Sequence, residues 1–143
     1  MWHELCNNDE VAQFMDEMYH FHDSCIKELY YVSGAYVNQN LSMKPVNDRR
    51  VLKVILQRQF SENSMIELEF SGLKSLQLSP TSEDYTCEIL GCGMFFKEGF
   101  VYWFDGDEPT EKYSNIIICA ENVRWRPIMN CMGSQDFFIQ KNS

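Results

Sequence analysis

The junction between the first predicted helix and the first predicted strand holds the densest group of reactive side chains. His20, His22 and Asp23 lie close together in the sequence, and Cys25 follows them. Alternate residues of an extended chain face the same way, and imidazole is a preferred ligand of zinc and similar ions. This spacing therefore suggests a metal-dependent enzyme that uses His20, His22 and Asp23.

The supply of further metal ligands is poor. The only other histidine is His3, and the cysteines lack the Cys-x-x-Cys spacing of a structural zinc site. In the alternative interpretation, His22 and Asp23 close the helix and start the strand, with the carboxylate accepting nearby backbone N–H groups. We prefer this structural interpretation and predict neither a metal nor a cofactor.

Nucleophilic catalysis has no support in the sequence. Cys25 lies only a few residues from His20 and His22, and such a pair is weak evidence without geometry. Ser24 lacks the Gly-x-Ser-x-Gly context of a nucleophile elbow. We therefore assign no catalytic residue.

A second group of candidates is rich in aromatic rings and arginine, which dominate binding hot spots. Side chains alternate along a strand, so either Tyr102 and Phe104 or Val101 and Trp103 must face away from the core. We expect the helix or the tail to cover that second face, with self-association as a homodimer as the alternative. The candidate binding residues are His20, His22, Asp23, Tyr102, Trp103, Arg124, Trp125 and Arg126.

The charge balance narrows the classes of partner. Twelve Lys and Arg stand against twenty-one Asp and Glu, which leaves a formal net charge of −9. This charge repels phosphate backbones and anionic lipid surfaces and attracts basic proteins. We predict no nucleic acid and no membrane as partners, and a basic protein as the class of partner that the charge favours.

The expected compartment is the cytoplasm. No apolar stretch approaches the roughly 20 residues that a membrane helix requires. The first residues lack the basic segment and apolar run of a secretory signal. The six cysteines are therefore expected to remain free thiols.

Hydrophobic periodicity predicts the order of the elements. Helical spacing indicates an amphipathic helix at about 8–20, capped by Asn7 and Glu10, and β-branched and aromatic runs indicate a β-rich body at about 25–127. The first strand is predicted to run from Cys25 to Val37, with a bulge or close packing at Gly34. Ser71-Gly72 is predicted to separate two strands, Lys97-Glu98-Gly99 to connect a hairpin, and 140–143 to fray. Segment 38–49 is predicted to be the longest loop, and 128–143 a tail that packs on the body. The result is one α+β domain, 1–143, with the N-terminal helix on a curved antiparallel sheet of six to eight strands, either sandwich-like or a partly closed barrel.

Two short patterns stand out in the sequence, namely Phe21-His22-Asp23-Ser24 with Ile26 and Leu29, and Ile66 to Leu73 with Leu76 and Leu78. They resemble patterns of small uncharacterised bacterial domains and cover about a third of the chain. Some proteins of this kind are similar to immunity partners of secreted toxins. The resemblance implies a β-rich domain and carries over no catalytic residue. An acidic domain of this class would cover the basic cleft of a nuclease-type toxin.

Three functions are consistent with these observations. The first is a non-enzymatic protein-interaction domain of the immunity type that binds a basic partner. The second is a small-ligand-binding, barrel-like protein, which the excess of aromatic residues suggests. The third is the metal-dependent enzyme that uses His20, His22 and Asp23.

Overall fold

The computed structural model describes residues 1–138, and its main sheet has seven strands. All strand pairs are antiparallel, and the single long helix completes the predicted α+β class. The elements are β1 (His3–Leu5), α1 (Asn8–Glu17), a one-turn helical segment (Tyr19–Phe21), β2 (Ser24–Val32), β3 (Tyr36–Val37), β4 (Met43–Lys44), β5 (Val51–Arg58), β6 (Met65–Leu78), β7 (Gly93–Lys97), β8 (Phe100–Phe104) and β9 (Ile116–Pro127).

The main sheet is curved and open. Its strand order is β2-β5-β6-β9-β8-β7, and β1 pairs with β9 next to β8. A single bridge between Ser24 and Ile89 joins β2 to the segment that runs into β7 at the opposite edge. The two edges therefore bend toward each other, but the sheet does not close into a barrel.

Helix α1 begins at the predicted place. The Asn7 side chain accepts a hydrogen bond from Glu10 N at 2.9 Å, and the Glu10 carboxylate accepts one from Cys6 N at 2.8 Å. This reciprocal capping fixes the first turn. No helix within residues 1–138 is both long and apolar enough to cross a membrane. The side chains that the helix region buries against the sheet are Val11, Phe14, Met15 and Met18.

The core lies between α1 and the concave face of the sheet. The Phe14 ring packs on Trp125 with centroids 5.1 Å apart, and Phe21 packs on Trp103 at 6.2 Å. Burial of one large apolar side chain contributes about 1.5–3 kcal/mol. These aromatic contacts hold the helix and the following turn against β8 and β9.

Asn8 joins the start of α1 to the edge of β7. Its Oδ1 accepts a hydrogen bond from Phe96 N at 2.7 Å, and its Nδ2 donates to Phe96 O at 3.2 Å. The amide therefore satisfies both backbone groups of Phe96, as a neighbouring strand would.

Strand β6 is continuous where the sequence predicts two strands separated by Ser71-Gly72. Gly72 has a φ of 63°, and a Cβ added to it would lie 2.5 Å from Glu121 Oε2 on β9. The backbone bends here, so the core-facing side changes between Phe70 and Leu73. The predicted interruption is thus a bend within one strand.

The predicted loop 38–49 contains part of a small β-hairpin. Tyr36 on β3 pairs with Lys44 on β4, and Lys44 Nζ donates to Asp48 Oδ2 at 2.8 Å. This hydrogen bond lowers the pKa of Asp48. The predicted strand that reaches Val37 is interrupted, because Gly34 turns the chain with a φ of 101°.

The tail packs on the convex face of the sheet as far as residue 138. The Glu28 carboxylate accepts hydrogen bonds from Phe137 N at 2.6 Å and Phe138 N at 3.2 Å. Phe138 lies in a small apolar cluster with Ile55 and Met65. The predicted fraying at 140–143 lies outside the described residues.

Candidate binding site

The backbone between α1 and β2 has an unusual left-handed conformation. Tyr19, His20 and Phe21 have φ values of 51°, 52° and 57°, and Asp23 has 60°. Such a conformation costs about 1–2 kcal/mol for each residue that carries a Cβ. The right-handed helix consequently ends at Glu17, before the predicted end at His20. Strained backbone of this kind clusters at binding and catalytic sites.

Burial and hydrogen bonds hold this turn in place. Met18 and Phe21 are completely buried. His22 N donates to Tyr19 O at 3.0 Å, and Cys92 N donates to His20 O at 2.9 Å. The turn therefore directs Phe21 into the core and leaves Tyr19 at the surface.

The structure does not bring His20, His22 and Asp23 together as a ligand set. His20 Nε2 lies 3.5 Å from Asp16 Oδ1, and His22 Nδ1 lies 3.1 Å from Asp23 Oδ2, in two separate exposed pairs. Within the described part of the chain, no group of three or more His, Cys, Asp or Glu side chains is placed to hold a metal ion.

The predicted pair Tyr102 and Trp103 divides between the two faces of β8. Trp103 is completely buried in the core. Tyr102 lies on the convex face, where its ring centroid is 5.5 Å from that of Phe95. A hydrogen bond with the Cys119 thiol raises the pKa of Tyr102. On this face Phe95 also packs on Phe104, at 5.6 Å.

The two predicted arginines are held by carboxylates of β6. Arg126 donates from Nε and Nη2 to Glu67 Oε1 at 2.8 and 2.7 Å. Arg124 binds Glu69 Oε1 in the same way at 3.0 and 2.8 Å. The Trp2 ring lies 4.2 Å from the Arg124 guanidinium and 4.7 Å from that of Arg126. These arginines are therefore already engaged within the chain.

The sequence analysis missed an aromatic platform beside the left-handed turn. The Tyr19 ring stacks on Phe60 with centroids 5.1 Å apart and planes 6° from parallel. Tyr19 nevertheless remains 63% exposed. The two residues lie far apart in the sequence, so no local pattern could identify the pair.

Arg58 is buried against the Phe60 ring of this platform. It is only 4% exposed and has no ion-pair partner among the described residues. Its Nη1 donates to Glu62 O at 3.0 Å and Asn63 O at 2.9 Å, and its guanidinium lies 4.6 Å from the centre of the Phe60 ring. Burial lowers the pKa of Arg58. The arginine therefore fixes the β5–β6 turn and positions Phe60.

A trough runs along α1, from Glu10 near the start of the helix to the Tyr19–Phe60 platform beyond its end. We call its far part the junction groove, which has a volume of about 410 Å³ and is lined by Glu17, Tyr19, Arg58, Phe60, Ser61, Glu62 and Asn63. The near part, about 310 Å³, is lined by His3, Leu5, Glu10, Gln13, Phe14, Glu17 and Trp125. Glu17 belongs to both parts, and His3 stacks on Trp125 at 4.7 Å.

Three carboxylates line the trough, those of Glu10, Glu17 and Glu62, together with the buried Arg58. Segment 1–26 contains Glu4, Asp9, Glu10, Asp16, Glu17 and Asp23 but neither lysine nor arginine. Carboxylates next to exposed aromatic faces bind Lys and Arg side chains through ion pairs and cation–π contacts. The chain itself gives no significant match to any protein-family model, curated protein or solved structure.

Proposed function

We propose that this chain is a non-enzymatic, cytoplasmic protein-interaction domain of the immunity type, and that it binds a basic protein through the trough along α1. One observation carries the proposal: Glu17 and Glu62 line the same groove as the stacked rings of Tyr19 and Phe60. A lysine or arginine of the partner would lie on the Tyr19 ring with its charge near these carboxylates.

The affinity must come from several contacts acting together. An exposed cation–π contact contributes about 0.5–1 kcal/mol, and an exposed ion pair about 0.2–1 kcal/mol. The near part of the trough adds the carboxylate of Glu10 and the ring of Trp125. A partner with cationic side chains along an extended surface would use both parts at once.

The net charge of −9 also affects the rate of association. Complementary charge steers diffusional encounter, and this effect falls as salt is added. The association rate constant should therefore decrease steeply with ionic strength, whereas the dissociation rate constant should change less.

The test compares two variants with matched substitutions. Tyr19→Ser/Glu62→Gln removes one ring and one charge from the junction groove. Tyr85→Ser/Glu83→Gln makes the same chemical changes in an exposed segment away from the trough. Immobilised wild-type protein and both variants are incubated with lysate of the native host, and the bound proteins are identified by mass spectrometry.

We expect the wild type and the Tyr85/Glu83 variant to retain the same basic protein, which moderate salt releases. The Tyr19/Glu62 variant should lose it. Retention by the Tyr19/Glu62 variant would contradict the assignment of the trough, and capture of an acidic partner would contradict the proposed partner class. Light scattering of the purified protein separately tests the alternative that the chain forms a homodimer.

A further inference from the structure

A second cavity lies at the open end of the sheet and shares no lining residue with the trough. Its volume is about 400 Å³, within the range of about 300–1,000 Å³ that is common for small-molecule sites. It lies between β2, the end of β6, the start of β9 and segment 81–90. Its apolar wall consists of Ile26, Leu29, Leu78, Ile89, Leu90 and Ile116.

Two of these side chains leave apolar surface in contact with water. Leu78 is 52% exposed and Leu90 is 74% exposed. Covering apolar surface contributes about 25 cal/mol for each Å² removed from water. An apolar ligand body in the cavity would bury these leucines against Ile26 and Ile116.

Lys27 supplies a charged group at the same place. The ladder between β2 and β5 passes from the pair Ile26–Leu56 to the pair Glu28–Ile55, so Lys27 is the extra residue of a β-bulge. Bulges redirect side chains and occur often beside functional sites. Lys27 lines the cavity and is half-buried, and its side chain makes no ion pair or hydrogen bond within residues 1–138.

Two of the three carboxylates that line the cavity are already bound within the chain. Glu28 accepts hydrogen bonds from two backbone N–H groups of the tail. Asp105 Oδ1 accepts from Asn115 N at 2.8 Å and from Ile116 N at 3.0 Å. The third, Glu88, is exposed and also lines a neighbouring cavity. No ion pair joins Lys27 to any of these carboxylates within residues 1–138, so its ammonium group remains available to a ligand.

We propose that this cavity binds a small amphiphilic carboxylate, whose apolar body packs on the six apolar side chains and whose carboxylate pairs with Lys27 Nζ. The apolar wall of the cavity would bind the apolar body of the ligand, and the Lys27 ammonium group would bind its negative charge. This ligand site is separate from the protein-binding trough and does not depend on it.

The experiment is a calorimetric titration of the purified protein with octanoate, octanol and octylamine, which share the alkyl chain and differ in charge. Octanoate should bind most tightly and octylamine most weakly. Lys27→Met keeps the apolar stem and should weaken octanoate binding about tenfold, the loss expected for one charge-assisted hydrogen bond, without changing octanol binding. Lys97→Met, at the exposed end of β7, is the matched control.

Glu88→Gln provides a test of opposite sign, because removal of a negative charge from the rim should strengthen octanoate binding. Amide chemical-shift changes on octanoate addition should map to Ile26, Lys27 and Leu90. Equal affinities for octanoate and octylamine, no saturable binding of octanoate, or shift changes confined to the trough would overturn the proposal. The comparison of the three probes requires no variant, so it remains decisive even if Lys27→Met fails to fold.

Discussion

Arg126 and Glu67 form a buried ion pair across β6 and β9 in which two donors converge on one oxygen, at 2.8 and 2.7 Å from Oε1. The Glu67 side chain is 1% exposed, and the nearest other cation among residues 1–138 is Lys53 Nζ, 3.9 Å from Oε2. A buried carboxylate of this kind depends on its partner, because water cannot replace the lost hydrogen bonds.

Arg126→Met should lower the free energy of unfolding by about 2–3 kcal/mol, since it leaves Glu67 charged and poorly paired. Adding Glu67→Gln to this variant should recover part of the loss. Urea denaturation at neutral pH measures both effects. Arg124→Met is the matched control and should cost less, because Glu69 is more exposed than Glu67. Equal losses in the two single variants would contradict this interpretation.

His20→Gly should raise the free energy of unfolding by about 0.5–1 kcal/mol. Glycine avoids the left-handed penalty at a φ of 52°, and its larger loss of chain entropy offsets part of the gain. His20→Ala keeps the Cβ and should give no such increase. Both variants lose the exposed contact with Asp16, and only His20→Gly relieves the backbone strain. The difference between their free energies of unfolding, measured by thermal or urea unfolding, therefore reports the strain.

Gly72→Ala should destabilise the chain for two separable reasons, by about 2 kcal/mol in total. The new Cβ would lie 2.5 Å from Glu121 Oε2 and would occupy a left-handed backbone position. Adding Glu121→Ala should relieve the contact but not the backbone strain. Urea denaturation of the double variant should therefore show partial recovery, and full recovery would argue against backbone strain.

Cys92 should make the protein less stable at alkaline pH. Burial, and to a smaller degree Asp105, raises the pKa of its thiol well above the usual value. The unfolded chain releases this proton first, so the contribution is complete below the unfolded pKa and is lost as pH rises toward the folded pKa. The free energy of unfolding should fall above about pH 8.5, by up to about 1.4 kcal/mol for each pH unit.

Cys92→Ala should reduce this slope, which urea denaturation at several alkaline pH values will show. Some slope should remain, because the pKa values of Cys25 and Tyr102 are also raised. A thiol reagent should modify the exposed Cys6 and Cys87 quickly and Cys92 only on unfolding. Rapid modification of Cys92 in the folded protein would contradict its assigned burial.

Local sequence patterns predicted the features that depend on neighbouring residues. The capping pair Asn7 and Glu10 marks the start of α1. The predicted connection Lys97-Glu98-Gly99 is a turn of Glu98 and Gly99, with φ values of 54° and 86°, after Lys97 at the end of β7. Such patterns predict less about tertiary contacts. The Tyr19–Phe60 stack depends on the fold bringing two distant segments together, and hydrophobic periodicity does not report the sign of φ at His20.

The bulge in β2 shows a similar limit. The sequence analysis predicted a bulge or close packing at Gly34, and a Cβ there would indeed lie 2.9 Å from Arg49 N. It did not predict the bulge at Lys27. A bulge residue with ordinary angles carries no compositional signal. Its position depends on the register with β5, which is a property of the paired strands.

The pairing of Asn8 with Phe96 has a consequence for self-assembly. The exposed edge of a sheet can add strands from other molecules and start aggregation. By occupying both backbone groups of Phe96, the Asn8 amide prevents a foreign strand from docking at this point of β7. Detachment of the first helix would free both groups for pairing with a strand of another molecule.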